Sequence, residues 1–157
     1  MLGKFKALQQ AAALPYVWTP DGLEIALVTS RERKRVIVPK GWPEKKRSLS
    51  EVAAREALEE AGLEGKVSTE PVGSFAYKKM VDKGYEVTCR VFVFPLLVTF
   101  QRQRWKEQRQ RRRFWLPIGQ AAKAVDDAGL AKLLTQIATK PEKLHALSDH
   151  DSRVPAS

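Results

Sequence analysis

Three carboxylates in this 157-residue chain, Glu56, Glu59 and Glu60, are spaced i, i+3 and i+4. On a helix that spacing puts all three on one face within a turn of one another. Like charges so close repel, and hard oxygen donors at this spacing suit Mg²⁺ or Mn²⁺, ions that keep several waters and share a substrate phosphate. The competing reading is a solvated acidic face with ordinary helical ion pairs, Arg55 to Glu59 and Glu51 to Arg55.

The flanking residues predict the helix that such a face requires. Ser48-Leu49-Ser50-Glu51 fits a capping box, with Ser48 accepting from a first-turn amide and Glu51 reaching back to the Ser48 backbone. Val52, Ala53, Ala54, Ala57, Leu58 and Ala61 supply helix formers and apolar contacts, and Gly62 is the expected left-handed stop. The helix is therefore expected from about Ser48 to about Ala61.

Gly41 and the Arg55-to-Leu63 segment, REALEEAGL, together resemble the signature of the Nudix hydrolases, Gly-x5-Glu-x7-Arg-Glu-U-x-Glu-Glu-x-Gly-U with U aliphatic. The preceding Val38-Pro39-Lys40-Gly41-Trp42-Pro43 is similar to the branch of diphosphoinositol polyphosphate phosphohydrolases and dinucleoside polyphosphate hydrolases. The likeness covers roughly residues 11 to 137. It implies metal ligation by Glu56, Glu59 and Glu60 with the Gly41 carbonyl, catalytic roles for Glu59 and Glu60, and an Arg55 that orients the cluster through Glu59. One position departs: the glutamate six residues after the first glycine is Arg47 here. In the family that acid pairs with the motif arginine, so Glu51, one turn before Arg55, is expected to substitute, with hydrolysis retained but reduced.

Eight Lys or Arg stand between Arg31 and Arg47, directly before the acidic helix. A basic surface beside a carboxylate cluster suits a substrate with many phosphates. Arg31, Arg33 and Lys40 are the leading contacts and Lys78 a further one, against the reading of a solvated edge. Trp42 either stacks on a base or wedges its loop. A second run, Gln101 to Arg113, carries seven basic residues, one acid (Glu107) and Trp105; it is a solvated loop, a polyanion contact, or a segment that brings Glu107 to the site as general base.

The rest of the chain has to fold around this site. The length fits one domain over 1–157 with flexible ends, about 1–10 and 140–157. Strands are expected at Ala11 to Trp18, Leu23 to Thr29, Val36 to Val38, Val72 to Lys79, Tyr85 to Leu97 and Phe114 to Leu116, with turns at Thr19–Gly22 and Asp82–Gly84. Helices are expected at Ile118 to Val125 and Leu130 to Thr139. Strands, helix, strands, helices in that order make an α/β chain, and the resemblance implies the Nudix-type α/β/α sandwich with a mixed central sheet. Cys89, the single cysteine, falls among alternating valines and reads as a core residue, compatible with a reducing cytoplasm. His145 and His150 read as exposed tail residues. No signal-like or membrane-spanning apolar run is present in the sequence, and the net charge of +10 favours polyanions as partners.

Together these readings predict Mg²⁺- or Mn²⁺-dependent hydrolysis of phosphoanhydrides in nucleoside or dinucleoside polyphosphates or diphosphoinositol polyphosphates. The partner is then a phosphorylated small molecule, with nucleic acid open but not favoured and no membrane. Two alternatives stay open: an RNA 5′-pyrophosphohydrolase, and a catalytically weakened module that binds polyanions.

Overall fold

A computed structural model describes residues 8–81 and 84–144. Among the described residues the strands are β1 (Leu8–Thr19), β2 (Gly22–Thr29), β3 (Val36–Ile37), β4 (Lys40–Gly41), β5 (Leu63–Val67), β6 (Gly73–Val81), β7 (Tyr85–Gln101) and β8 (Arg113–Pro117). The helices are α1 (Leu49–Ala61), α2 (Ile118–Ala124) and α3 (Ala128–Thr139).

β1 is the spine. It pairs antiparallel with β2, Tyr16 opposite Ile25, and parallel with β7, Ala12 opposite Val93, which makes the sheet mixed. β7 is long enough for its first half to pair with β6 and its second with β5, while β8 and β3 both add to β2. Alternation along β1 then sorts the two faces. Ala12, Leu14 and Tyr16 join Val91, Val93, Leu130, Leu134 and Ile137 in a core beneath α2 and α3. Ala11 and Ala13 face the other way, against Val52, Ala53 and Ala57 of α1. Alanine on both sides of that contact lets α1 settle close to the sheet. Helices on both faces of a mixed sheet are the sandwich that the resemblance implied and the order of elements suits.

α1 begins and ends as its sequence requires. The Ser48 N–H donates to Glu51 Oε1 at 2.7 Å and the Glu51 N–H to Ser48 Oγ at 3.2 Å, completing the capping box. Gly62 ends the helix at φ 67°, and a Cβ there would meet the Trp105 ring at 2.7 Å. The position therefore demands glycine twice, for its dihedral and for the tryptophan against it.

Several expectations need correcting. β4 and β5 were absent from the sequence reading: β4 is two residues long, and Leu63–Val67 contains Glu, Gly and Lys, so neither carries a strand pattern. β7 continues to Gln101 because β5 and β7 pair through that end, Leu63 lying opposite Gln101. Residues 8–10 of the end expected to be loose belong to β1, and Leu144 is fully buried in the core under α3. Asp82, Lys83, His145, His150 and the remaining terminal residues lie outside the described residues. Cys89 is fully buried, its Sγ–H donating to Gln10 Oε1 at 3.4 Å, and burial pushes its pKa up, as expected of an inert core thiol.

Candidate active site

β4 holds Lys40 and Gly41 on β1, with Ala11 opposite Gly41 and Ala12 opposite Lys40. This bridge sets Gly41 directly against α1: a Cβ at Gly41 would lie 2.5 Å from Glu56 Cδ. Only glycine admits so close an approach of strand and carboxylate.

The three helix carboxylates have different surroundings. Glu60 is buried, 4% exposed, and as an ionised group it leaves Oε1 with no hydrogen-bond donor. Burial, then the hydrogen bond to Glu56, push its pKa up to about 9, so that protonated Glu60 donates to Glu56. Burial also raises Glu56. Glu59 turns aside, accepting from Arg55 Nε at 2.9 Å, with Lys106 Nζ at 3.7 Å. Among the described residues no three acidic, imidazole or thiol groups are gathered at metal-ligand spacing. The chemistry of the donor set still fits a hard divalent cation: a buried carboxyl held to a half-buried one, one oxygen without a donor, and a third carboxylate one turn away.

The loop after β7 closes over the C-terminus of α1. The Trp105 Nε1–H donates to the Glu60 carbonyl at 3.1 Å, and Arg113 Nη1 donates to the Ala61 carbonyl at 2.8 Å. The Glu107 N–H donates to the Glu59 carbonyl at 3.0 Å. That anchoring sets Glu107 beside the cluster, where Arg111 Nε donates to its Oε1 at 2.7 Å and Arg111 Nη2 lies 3.8 Å from Glu60 Oε2. Arg111 was missed. In a run of seven basic residues nothing marks the one that meets Glu60 and Glu107, except its i+4 spacing from the lone glutamate.

Glu51 is not the partner of Arg55. Its carboxylate is spent on the Ser48 amide, a hydrogen bond that holds its pKa low. Glu44 takes that place, accepting from Arg55 Nη1 at 2.8 Å, while Arg47 Nε reaches the same Glu44 oxygen at 3.2 Å.

A cleft of about 570 Å³ opens on the other side of Lys40. Arg31, Arg33, Lys40 and Lys78, all expected contacts, line it, together with Arg35 and Lys79. Lys40 is the link between cleft and cluster: burial lowers its pKa, the nearby Glu60 carboxyl opposes that shift, and its Nζ lies 5.5 Å from the Tyr77 ring centroid. Trp42 does not wedge its loop into the core. It is 44% exposed and outside the wall of the cleft, with Lys79 Nζ 5.6 Å from its ring centroid.

The family model of the NUDIX domain matches residues 8–137. The chain belongs to the Nudix family. Among its Nudix relatives in Arabidopsis thaliana, Nudix hydrolase 17, mitochondrial, is 34% identical over 107 residues, 68% of this chain and 57% of that protein. Nudix hydrolase 21, chloroplastic, is 30% identical over 134 residues, 80% of this chain and 64% of the relative. This Nudix chain thus spans little more than half the length of the curated relatives it matches. In fold it is similar to a C. elegans Ap4A hydrolase in a binary complex, with a TM-score of 0.66 at 18% identity over 87% of this chain and 98% of that one. The NUDIX domain of Shewanella oneidensis NrtR complexed with ADP ribose gives 0.61 at 15% identity, over 85% and 90%. Among the described residues of this family member no helix is long and apolar enough to cross a membrane.

Proposed function

We propose that the chain hydrolyses phosphoanhydride bonds in nucleoside or dinucleoside polyphosphates or diphosphoinositol polyphosphates, with Mg²⁺ or Mn²⁺ as cofactor. One observation carries the reading: a carboxyl pair, buried Glu60 and half-buried Glu56, adjoins a cleft lined by six basic side chains, with Lys40 between them. Family membership supports it, as do the names of the relatives, which are hydrolases.

Glu56, Glu59 and Glu60, with the Gly41 carbonyl, would hold the cation. When bound it supplies charge neutralisation at the bridging phosphates and acidifies a water. The chain's own residues do the rest. Arg55 fixes the rotamer of Glu59 through the 2.9 Å bond. Arg31, Arg33, Lys40 and Lys78 hold the phosphates that do not react, and Arg-lined walls favour paired contacts to phosphate oxygens. Exposed Trp42 is placed to cover a base or ring at the rim. Glu107, anchored beside the cluster, is the acid outside the helix best placed to take a proton from the attacking water. The buried lone thiol suits a reducing compartment such as the cytoplasm.

The test is phosphate release from diadenosine polyphosphates, a diphosphoinositol polyphosphate, 5′-triphosphorylated RNA and ADP-ribose, with Mg²⁺ or Mn²⁺. Glu59→Gln and Glu60→Gln serve as controls. Metal-dependent turnover lost in both is the expected result, and the best substrate identifies the branch. Tight binding without turnover would replace the hydrolase by a polyanion-binding module.

A further inference from the structure

The departure at Arg47 breaks the family pattern, yet Arg55 is not left without a second carboxylate. Glu44 Oε1 accepts from Arg55 Nη1 at 2.8 Å, and Arg55 Nε donates to Glu59 Oε2 at 2.9 Å. Opposite sides of one guanidinium are thus fixed by two acids. A planar fork held at two points has little rotational freedom left. Arg47 reaches the same oxygen of that acid, its Nε 3.2 Å from Glu44 Oε1. The backbone brings this about: Lys46 adopts φ 68° and the Arg47 N–H turns back to the Glu44 carbonyl at 3.4 Å. That tight turn folds the loop so that Glu44, eleven residues before Arg55, faces α1. A non-glycine residue in the left-handed region costs energy, so the turn is held by its surroundings.

We infer that Glu44 has taken over the work of the missing motif glutamate: it is a positioning residue that acts through Arg55 on Glu59, with Arg47 holding Glu44 in place. The role rests on the metal-dependent reading of the site, because what Glu44 positions is a proposed ligand. Groups that orient metal ligands from behind typically change affinity or activity about 10- to 100-fold when removed.

The arrangement allows a relocation test. Arg Nε and Glu Oε are both bonded to Cδ, so a glutamate at position 47 places its oxygens near the present Arg47 Nε, beside the atom that Arg55 now holds. The experiment compares wild type, Glu44→Gln, and Glu44→Gln combined with Arg47→Glu, in the full chain. Mn²⁺ affinity is measured by calorimetry without substrate, kcat and KM on the best substrate of the panel, and thermal midpoints on all three. Glu51→Ala is the comparison for a purely structural loss, since that acid only caps α1. The expected result for Glu44→Gln is Mn²⁺ affinity and kcat reduced on the order of 10-fold with KM unchanged, and recovery of most of both in the double variant. Glu51→Ala lowers the thermal midpoint without that loss of Mn²⁺ affinity.

Mn²⁺ affinity unchanged in Glu44→Gln, or no recovery in the double variant, overturns the inference. Wild type that hydrolyses nothing yet binds Mn²⁺ more tightly than Glu44→Gln refutes the hydrolase reading and supports the role of Glu44. Wild-type turnover indifferent to Glu44 does the reverse.

Discussion

Replacing Glu60 by glutamine is expected to stabilise the protein when divalent cations are absent. The carboxyl is buried, and its pKa rises from 4.5 to about 9 on folding. A raised acid has a definite sign: below about pH 4.5 both states are protonated and nothing is lost, whereas from there to about 9 the unfolded chain ionises freely and the native one does not. Stability therefore falls as pH rises through that window. At pH 7 the gap is about 2.5 units, each worth about 1.4 kcal/mol, which sets a ceiling of roughly 3–4 kcal/mol. Arg111 Nη2, 3.8 Å from Glu60 Oε2, favours the ionised form, and water reaching the site reduces the penalty further; about 2 kcal/mol is the working figure. Glutamine keeps the shape and can still donate to Glu56, so it removes the titration without opening a cavity. For a chain of this length about 2 kcal/mol corresponds to roughly 4–8 °C in Tm. The assay is thermal unfolding of wild type and Glu60→Gln in EDTA at pH 5, 7 and 8. The two should nearly coincide at pH 5 and separate as pH rises. Added Mn²⁺ should then raise the wild type more than the variant, because ligation stabilises the ionised carboxylate. A difference that is flat or reversed from pH 5 to pH 8 refutes the reasoning.

Three further outcomes follow from single contacts. Gly41→Ala places a Cβ 2.5 Å from Glu56 Cδ, so Tm should fall by an amount equivalent to about 1–3 kcal/mol of overpacking, and Mn²⁺ affinity by calorimetry should fall with it. Leu144→Ala, in a segment whose sequence suggests a tail, should cost about 2–4 kcal/mol in urea unfolding because Leu144 is fully buried in the core under α3. Lys40→Gln should raise KM for a polyphosphate on the order of 10-fold, equivalent to about 1.4 kcal/mol, with kcat little changed, since its ammonium lines the cleft rather than meeting the reacting water.

The legible and the illegible parts of this protein divide by the range of the forces involved. Ser48 to Gly62 was readable in full, because a capping box, an alanine-rich face and a left-handed glycine act within a few residues of one another. The spacing of Glu56, Glu59 and Glu60 likewise settled, without any tertiary information, that three acids share a helix face. The hairpin of β1 and β2 was legible for the same reason, its turn being four residues of local chemistry.

The sequence had no means of saying which acid meets Arg55. Glu51 and Glu44 were both in reach along the chain; a helix cap claimed the first and a turn through left-handed Lys46 delivered the second. Nor could it show that Glu60 is buried while Glu59 is turned aside, or that Arg111 is the member of its basic run that meets Glu60 and Glu107. Those outcomes depend on β4 pressing Gly41 against α1 and on the loop after β7 folding over the helix end. Local sequence thus determined the elements and the chemical types they carry. Burial, and with it the protonation and pairing of each acid, was decided only when segments far apart in the chain packed together, because the dielectric and the partner of a charge belong to its surroundings in space.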